Sequence, residues 1–270
     1  MDQTVLLRVE GRIAIVTLNR PEKRNAFSDK LFLGLRDAFA RIPDTVRAVV
    51  IHGAGDHFCA GLDLSEHVQV TPFQSVLNSR SAHRLFGDIQ DCGRPVITAM
   101  HGAVIGGGLE LACSTHIRVA DPSTFYQLPE GRRGIFVGGG ASVRVANVIG
   151  VSRLTELMLT GRKVDAEEGR QTGLSHYISE PGKALEQALA IADNVAGNAT
   201  ISNYMMLQAL AHIADMPDSA GLFTESLAQA LTLTNGDARL GIEAFLTKRE
   251  VKFGELPRRA GRRRTFRHVR

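Results

Sequence analysis

Three times along this chain a short apolar run leads through a glycine cluster toward a helical pattern. Val46 to Ile51 runs into the loop Gly53 to Gly61. Pro95 to His101 feeds Gly106-Gly107-Gly108, and Ile117-Arg118-Val119-Ala120 precedes Gly138-Gly139-Gly140. Strand, glycine-rich turn, helix: the recurrence of that unit specifies a β/α body. The strands are short and the crossovers irregular, which argues against a regular eight-fold barrel.

Around this body the local signals are conventional. Val5–Val9 and Ile13–Leu18 flank Gly11 and read as a β-hairpin. Ser28 is placed to cap a helix in which Leu31, Leu35 and Phe39 share one face. Residues 73–90 read as helix, and Asp165 with Glu168 matches a capping box. Leu174–Ile178 reads as a last strand. From about residue 183 the pattern is helical: Ala184–Val195, Ile201–Ile213 and Leu222–Leu233. The expected organisation is a core over 1–198, a helical C-terminal region over 199–256 and an arginine-rich tail over 257–270.

Composition excludes several classes. With 44% hydrophobic and 22% charged residues in 270, the chain is neither disordered nor collagen-like. Lys and Arg exceed Asp and Glu by 32 to 28, a net +4, but seven arginines sit between Arg258 and Arg270. Subtracting those seven charges leaves residues 1–257 at −3, so the basic character belongs to the tail. Three scattered cysteines without a CxxC spacing fit a reducing compartment. No signal peptide or membrane span can be drawn, so a cytoplasmic location is expected.

Two of the glycine loops are denser than turns require: Phe58-Cys59-Ala60-Gly61-Leu62-Asp63-Leu64 and Gly102 to Glu110. Glycines ahead of a helix expose backbone N–H groups that can hold an anion or oxyanion. The plainer reading is that they only allow a helix and a strand to pack closely. Neither loop matches G-x-G-x-x-G, and no G-x-x-x-x-G-K-[ST] exists, which disfavours a nucleotide site. Glu110 follows the second glycine run and Glu130 follows Leu128-Pro129. Two glutamates in one apolar pocket would have their pKa values pushed apart, as an acid–base pair needs. The plainer alternatives are a helix-start carboxylate for Glu110 and an ion pair with Arg132 or Arg133 for Glu130. His52 and His57 lack further ligands for zinc, so no metal is expected. There is no G-x-S-x-G elbow, and Cys59 reads as a small buried thiol.

Taken in order, these segments resemble the enoyl-CoA hydratase/isomerase family, the crotonase superfamily. The resemblance is carried by Leu18-Asn19-Arg20-Pro21-Glu22-Lys23-Arg24-Asn25-Ala26-Phe27, the Phe58–Leu64 loop, Pro95–Gly102 and Gly106-Gly107-Gly108-Leu109-Glu110-Leu111-Ala112. It continues through Pro129-Glu130, Leu159-Thr160-Gly161-Arg162, Ala166–Gly169 and Gly173-Leu174, covering about residues 5–180.

That resemblance implies an α/β fold, a spiral of ββα units with a helical trimerisation region, assembled as a homotrimer or a hexamer of two trimers. It implies an acyl-CoA substrate, with coenzyme A entering as part of the substrate and no separate cofactor. By motif position, the amides of Ala60 and Gly107 would form the oxyanion hole, and Glu110 and Glu130 would be the catalytic acid and base. Arg24, Ala26, Phe27, Gly61, Leu62, Asp63 and Leu64 would line the CoA and acyl site. Turn chemistry is the plainer role for Asp63. The implied reaction is syn hydration of a 2-enoyl-CoA or its reverse, with double-bond isomerisation or another crotonase-type reaction as the alternative.

One segment departs from the family pattern. Gly131-Arg132-Arg133-Gly134-Ile135-Phe136-Val137-Gly138 follows Glu130 without the usual Gly-x-x-Pro turn. Its arginines would lower the pKa of Glu130, point to solvent, or bind a carboxylate on an unusual substrate. A reading of another class is RNA binding through the tail; a solvated terminus is the plainer one. Removing residues 257–270 is expected to leave weak RNA binding in a mobility-shift assay unaltered, and loss of a tight complex would revive the RNA reading.

Overall fold

The computed structural model describes residues 3–66, 70–249, 251 and 253. The first hairpin forms as expected: β1 (Val5–Glu10) pairs antiparallel with β2 (Ile13–Leu18), with Val5 opposite Leu18. Ser28 caps α1 (Asp29–Ala40), its hydroxyl accepting from the Leu31 amide, and Leu31 and Leu35 are buried. β3 (Ala48–Gly53) starts two residues later than the apolar run suggested. Val46 closes a turn onto the Pro43 carbonyl before the strand begins.

Next come α2 (Pro72–Gln90), β4 (Val96–Met100), β5 (Ala103–Ile105), α3 (Gly107–Ala112), β6 (Ile117–Ala120) and β7 (Phe125–Gln127). α4 (Ala141–Ile149) and α5 (Val151–Thr160) follow, separated by Gly150 at φ +82°. β8 (Val164–Asp165), α6 (Ala166–Thr172) and β9 (Tyr177–Ile178) complete the strand-bearing part. β9 is shorter than the expected run from Leu174, because the Ser175 amide turns back to the Gly169 carbonyl. Only half of the expected capping box at α6 forms. Asp165 accepts from the Glu168 amide, but the Glu168 carboxylate reaches Arg162 at 2.6 Å instead of returning to the cap.

The main sheet runs β1-β2-β3-β4-β6-β9 and is parallel from β2 onward. Over β2, β3 and β4 both faces are covered, which is why those strands are nearly all apolar. Along β3 the side chains alternate between two cores: Val49 and Ile51 join the larger one, while Ala48 and Val50 meet α7 (Ala184–Ala196). α7 presents Ala184, Ala188, Ala192 and Ala196, spaced by four, to that face. A second sheet, β5-β7-β8, pairs β5 parallel with β7.

The C-terminal part consists of α8 (Thr200–Ala214), α9 (Asp218–Leu233) and α10 (Gly236–Leu246). α10 falls inside the region expected to be helical, 199–256, without having been singled out as a run of its own. These helices leave large apolar side chains exposed, among them Leu222, Phe223, Leu227 and Phe245. The expected boundary at 198/199 falls between α7 and α8, where Arg47 donates to the Asn198 carbonyl at 2.8 Å. The arginine-rich tail, 257–270, lies outside the described residues. No helix among the described residues is long and apolar enough to cross a membrane.

One glycine ties the helix carrying Glu110 to its neighbour. A Cβ at Gly108 would overlap the carbonyl oxygen of Cys59 and stand 2.9 Å from its Cβ. Gly→Ala inside a helix ordinarily stabilises by about 1 kcal/mol. Here the sign reverses: Gly108→Ala is expected to lower unfolding free energy by about 1–3 kcal/mol, the range for overpacking. Urea denaturation measures this, and an unchanged midpoint would mean that the two segments have room to separate.

Candidate active site

Three parallel segments end side by side. Residues 58–60 run along β5: the Cys59 amide donates to the Ala103 carbonyl at 3.0 Å, and the Ile105 amide donates to the Cys59 carbonyl at 3.0 Å. β5 lies parallel to β7, with Ile105 opposite Gln127, and the Gly106 amide continues the pairing to the Gln127 carbonyl. The carboxyl ends of these segments are Gly61-Leu62, Gly106-Gly107 and Pro129-Glu130. Such ends are where open parallel sheets bind ligands. The register therefore brings together two glutamates twenty residues apart in sequence.

Glu110 sits in the first turn of α3 and is 5% exposed. Its carboxylate does not act as a helix-start charge. It turns toward the third glycine run, where Oε1 accepts from the amides of Gly139 (2.8 Å) and Ala141 (3.0 Å). A Cβ at Gly139 would overlap that carboxylate, so the site needs glycine there. Burial raises the Glu110 pKa, and the two amide bonds and His83 on α2 pull it partly back.

Glu130 opens the 3-10 turn Glu130–Arg133 and is 8% exposed. Its Oε2 is buried with no hydrogen-bond partner among the described residues. Burial raises its pKa, the Glu110 charge raises it further, and Arg133 opposes the shift. Neither arginine forms the ion pair considered from sequence. Arg132 donates to the Thr160 carbonyl and lies across Gly161, while Arg133 is exposed.

The oxyanion donors need one correction. The Ala60 amide donates to the Arg24 carbonyl at 3.0 Å, so it is occupied. In that loop the Leu62 amide has no acceptor among the described residues, although Leu62 flanks a β-bridge to Phe27 made by its neighbours, Phe27 N–H to Gly61 and Asp63 N–H to Phe27. Gly107, the first residue of α3, likewise has an amide without an acceptor there. The two loops touch: a Cβ on Gly61, which has φ +90°, would stand 3.3 Å from the Gly107 nitrogen and 2.8 Å from the Ile105 carbonyl oxygen.

The remaining expected residues divide. Ala26 and Phe27 are buried beside the glycine loop, where a Cβ on Gly107 would approach the Phe27 ring to 3.2 Å. Phe27 stacks on Phe32 at 4.6 Å, and both rings lie near Phe86, forming an apolar wall. Arg24 and Leu64 are exposed. Asp63 is buried and engaged: Arg20 donates to it at 2.8 Å and the Ser65 hydroxyl at 2.6 Å. The Ser65 bond, then that of Arg20, lowers its pKa despite burial. Its role is to pin the loop.

Sequence reasoning missed two contributors. Asn25, fully buried at φ +55°, accepts from the Arg20 amide and donates to the Ala54 and His57 carbonyls, clamping the N-terminal loop to the Gly53–Gly61 loop. The third glycine run, read only as a helix opener, holds Glu110. Three consecutive glycines ahead of a helix were the available signal. The histidines weighed for zinc are engaged structurally: His57 Nδ1 accepts from the Ala103 amide and the His52 ring bonds Thr17. Burial pushes the Cys59 thiol up to about 12, so it is not a nucleophile.

Comparison with known proteins places this architecture. Residues 8–257 match the family model described as enoyl-CoA hydratase/isomerase. Enoyl-CoA hydratase EchA19 of Mycobacterium tuberculosis is 32% identical, the alignment covering 92% of this chain and 95% of that protein. The 2,3-dehydroadipyl-CoA hydratase of Escherichia coli is 31% identical over 94% of this chain and 99% of its own length. A crystal structure from Rhodopseudomonas palustris superposes with a TM-score of 0.88 at 49% identity, covering 91% of this chain and 95% of that one. Enoyl-CoA hydratase from Bacillus anthracis gives a TM-score of 0.88 at 28% identity, covering 94% of this chain and all of that one. The chain belongs to the enoyl-CoA hydratase/isomerase family, the crotonase superfamily.

Proposed function

We propose that this protein adds water across the double bond of 2-enoyl-CoA thioesters, or removes it in reverse. The observation that carries the reading is the pair of buried carboxyl groups at adjacent strand ends, beside two backbone amides without acceptors. Their environments differ as an acid and a base require. Glu110 accepts two amide hydrogen bonds that favour its charged form, so it takes the proton from water as hydroxide adds to the β-carbon. Glu130 has a desolvated oxygen and a negative neighbour, both of which favour its protonated form, and it delivers a proton to the α-carbon. Between these steps the thioester oxygen carries negative charge, and the Leu62 and Gly107 amides are placed to stabilise it. The proton then passes from Glu110 to Glu130 through solvent, which resets the pair.

Coenzyme A enters with the substrate and no further cofactor is part of this scheme. The exposed apolar residues of α8–α10 support assembly as a homotrimer or hexamer, and three free cysteines accord with a cytoplasmic setting.

Glu110→Gln and Glu130→Gln are each expected to slow hydration of crotonyl-CoA by about 10²–10⁴ while leaving CoA affinity unchanged. Loss of the enoyl-thioester absorbance measures the rate, and full activity in either variant would end the paired role. Gly107→Pro removes one amide at a helix position that tolerates proline. It should cost about 10²–10³ in rate.

The same acid carries a stability signature. A carboxyl whose folded pKa is raised contributes stability that is complete below the unfolded value, about 4.3, and is lost as pH rises through the folded value. Glu130→Gln should therefore unfold at higher urea than the parent at pH 8, the gap closing as pH falls toward 4. A constant gap across that range would show that Glu130 is not held protonated by the fold.

A further inference from the structure

We propose that Arg133 receives a carboxylate at the far end of the acyl chain, so that the preferred substrate is the CoA thioester of a dicarboxylic acid. This rests on reading the site as an acyl-CoA site.

The geometry begins with the 3-10 turn Glu130–Arg133. In such a turn residues three apart eclipse one another, so Arg133 projects from the same side as Glu130, one turn on. Three of the other arginines around the site are committed, while Arg24 is exposed on the N-terminal loop. Arg20 holds Asp63, Arg132 donates to Thr160, and Arg144 bonds Gln90 and the Gly139 carbonyl. Arg133 has no hydrogen bond or ion pair among the described residues, its charge acts on Glu130, and it is exposed.

Gly134, at φ +68°, then turns the chain so that the Ile135 amide returns to the Glu130 carbonyl at 3.2 Å. Ile135 and Phe136 follow Arg133 as exposed apolar residues. An open guanidinium beside exposed apolar side chains suits a flexible methylene chain that ends in a carboxylate, which arginine binds bidentately.

Proton chemistry gives the arrangement a reason. Glu130 must keep its proton until the α-carbon is ready, and a lone cation beside it works against that. A substrate carboxylate on Arg133 neutralises the cation, so the acid holds its proton best when the correct chain is bound. A chain ending in a methyl group leaves the guanidinium uncompensated. Selection therefore acts on binding and on the chemical step together.

The test is equilibrium binding of adipyl-CoA and hexanoyl-CoA to the full chain. Both are saturated thioesters that undergo no hydration, so the outcome does not depend on activity. The parent is expected to prefer adipyl-CoA by about ten- to a hundredfold, the range for a hydrogen bond between charged groups. Arg133→Gln should abolish the preference with hexanoyl-CoA affinity unchanged, and Arg133→Lys should keep part of it. Arg132→Gln should retain the full preference.

Equal affinities in the parent would overturn the proposal. So would an Arg133→Gln variant that weakens both thioesters alike, since the arginine would then be holding the CoA moiety. A parent that binds adipyl-CoA selectively but hydrates neither 2-hexenoyl-CoA nor its ω-carboxylate analogue would refute hydration and leave the recognition standing.

Discussion

The site depends on one pairing: residues 58–60, β5 and β7 lie parallel and in register, so three strand ends meet at one edge. Each end supplies a different group. The first brings the Leu62 amide, the second the Gly107 amide and then Glu110, the third Glu130 and Arg133. A slip of one residue between β5 and β7 would move Glu130 by about 3.3 Å and turn alternate side chains to the other face. The chemistry is thus a property of sheet register before it is a property of any side chain.

Glycine makes that register usable. Gly61, Gly108 and Gly139 sit where a methyl group would strike, respectively, a backbone carbonyl of β5, the backbone of Cys59 and the Glu110 carboxylate. The close approaches fix the loops around the two buried carboxyl groups, and burial is the largest influence on their proton affinities. Burial also makes the pair unfavourable to the fold when charged. Stability is given up locally, and the hairpin, the two-sided sheet and the clamp around Asn25 supply it elsewhere.

Much of this was legible in the residues. The apolar run Ile13–Leu18, the Ser28 cap and the shared face of Leu31 and Leu35 are local signals, and the structure follows them. The glycine runs and the two glutamates were legible as a pattern with a known order. The committed amide at Ala60 was not, because a backbone hydrogen bond to Arg24 leaves no trace in residue identity. For the same reason the sequence left Asp63 between a ligand contact and turn chemistry: the partner that makes it a loop anchor, Arg20, lies forty-three positions away. The half-formed capping box at α6 shows a further limit. The pattern specifies that Glu168 is available, and Arg162 competes for it successfully.

The alanine stripe of α7 has an implication for how this protein can change over time. Along its central stripe only alanines meet Val50, Ile97 and Val119, so the helix lies close to the sheet and its height has little to adjust. α8 begins four residues after α7 ends, so the outer helices, which pack on one another, are joined to the sheet through α7. Those surfaces are then free to drift in sequence, acquiring or losing partners, while the strand ends that hold the carboxyl groups stay where they are. The outer surface and the chemistry can change separately because a row of the smallest chiral side chains stands between them.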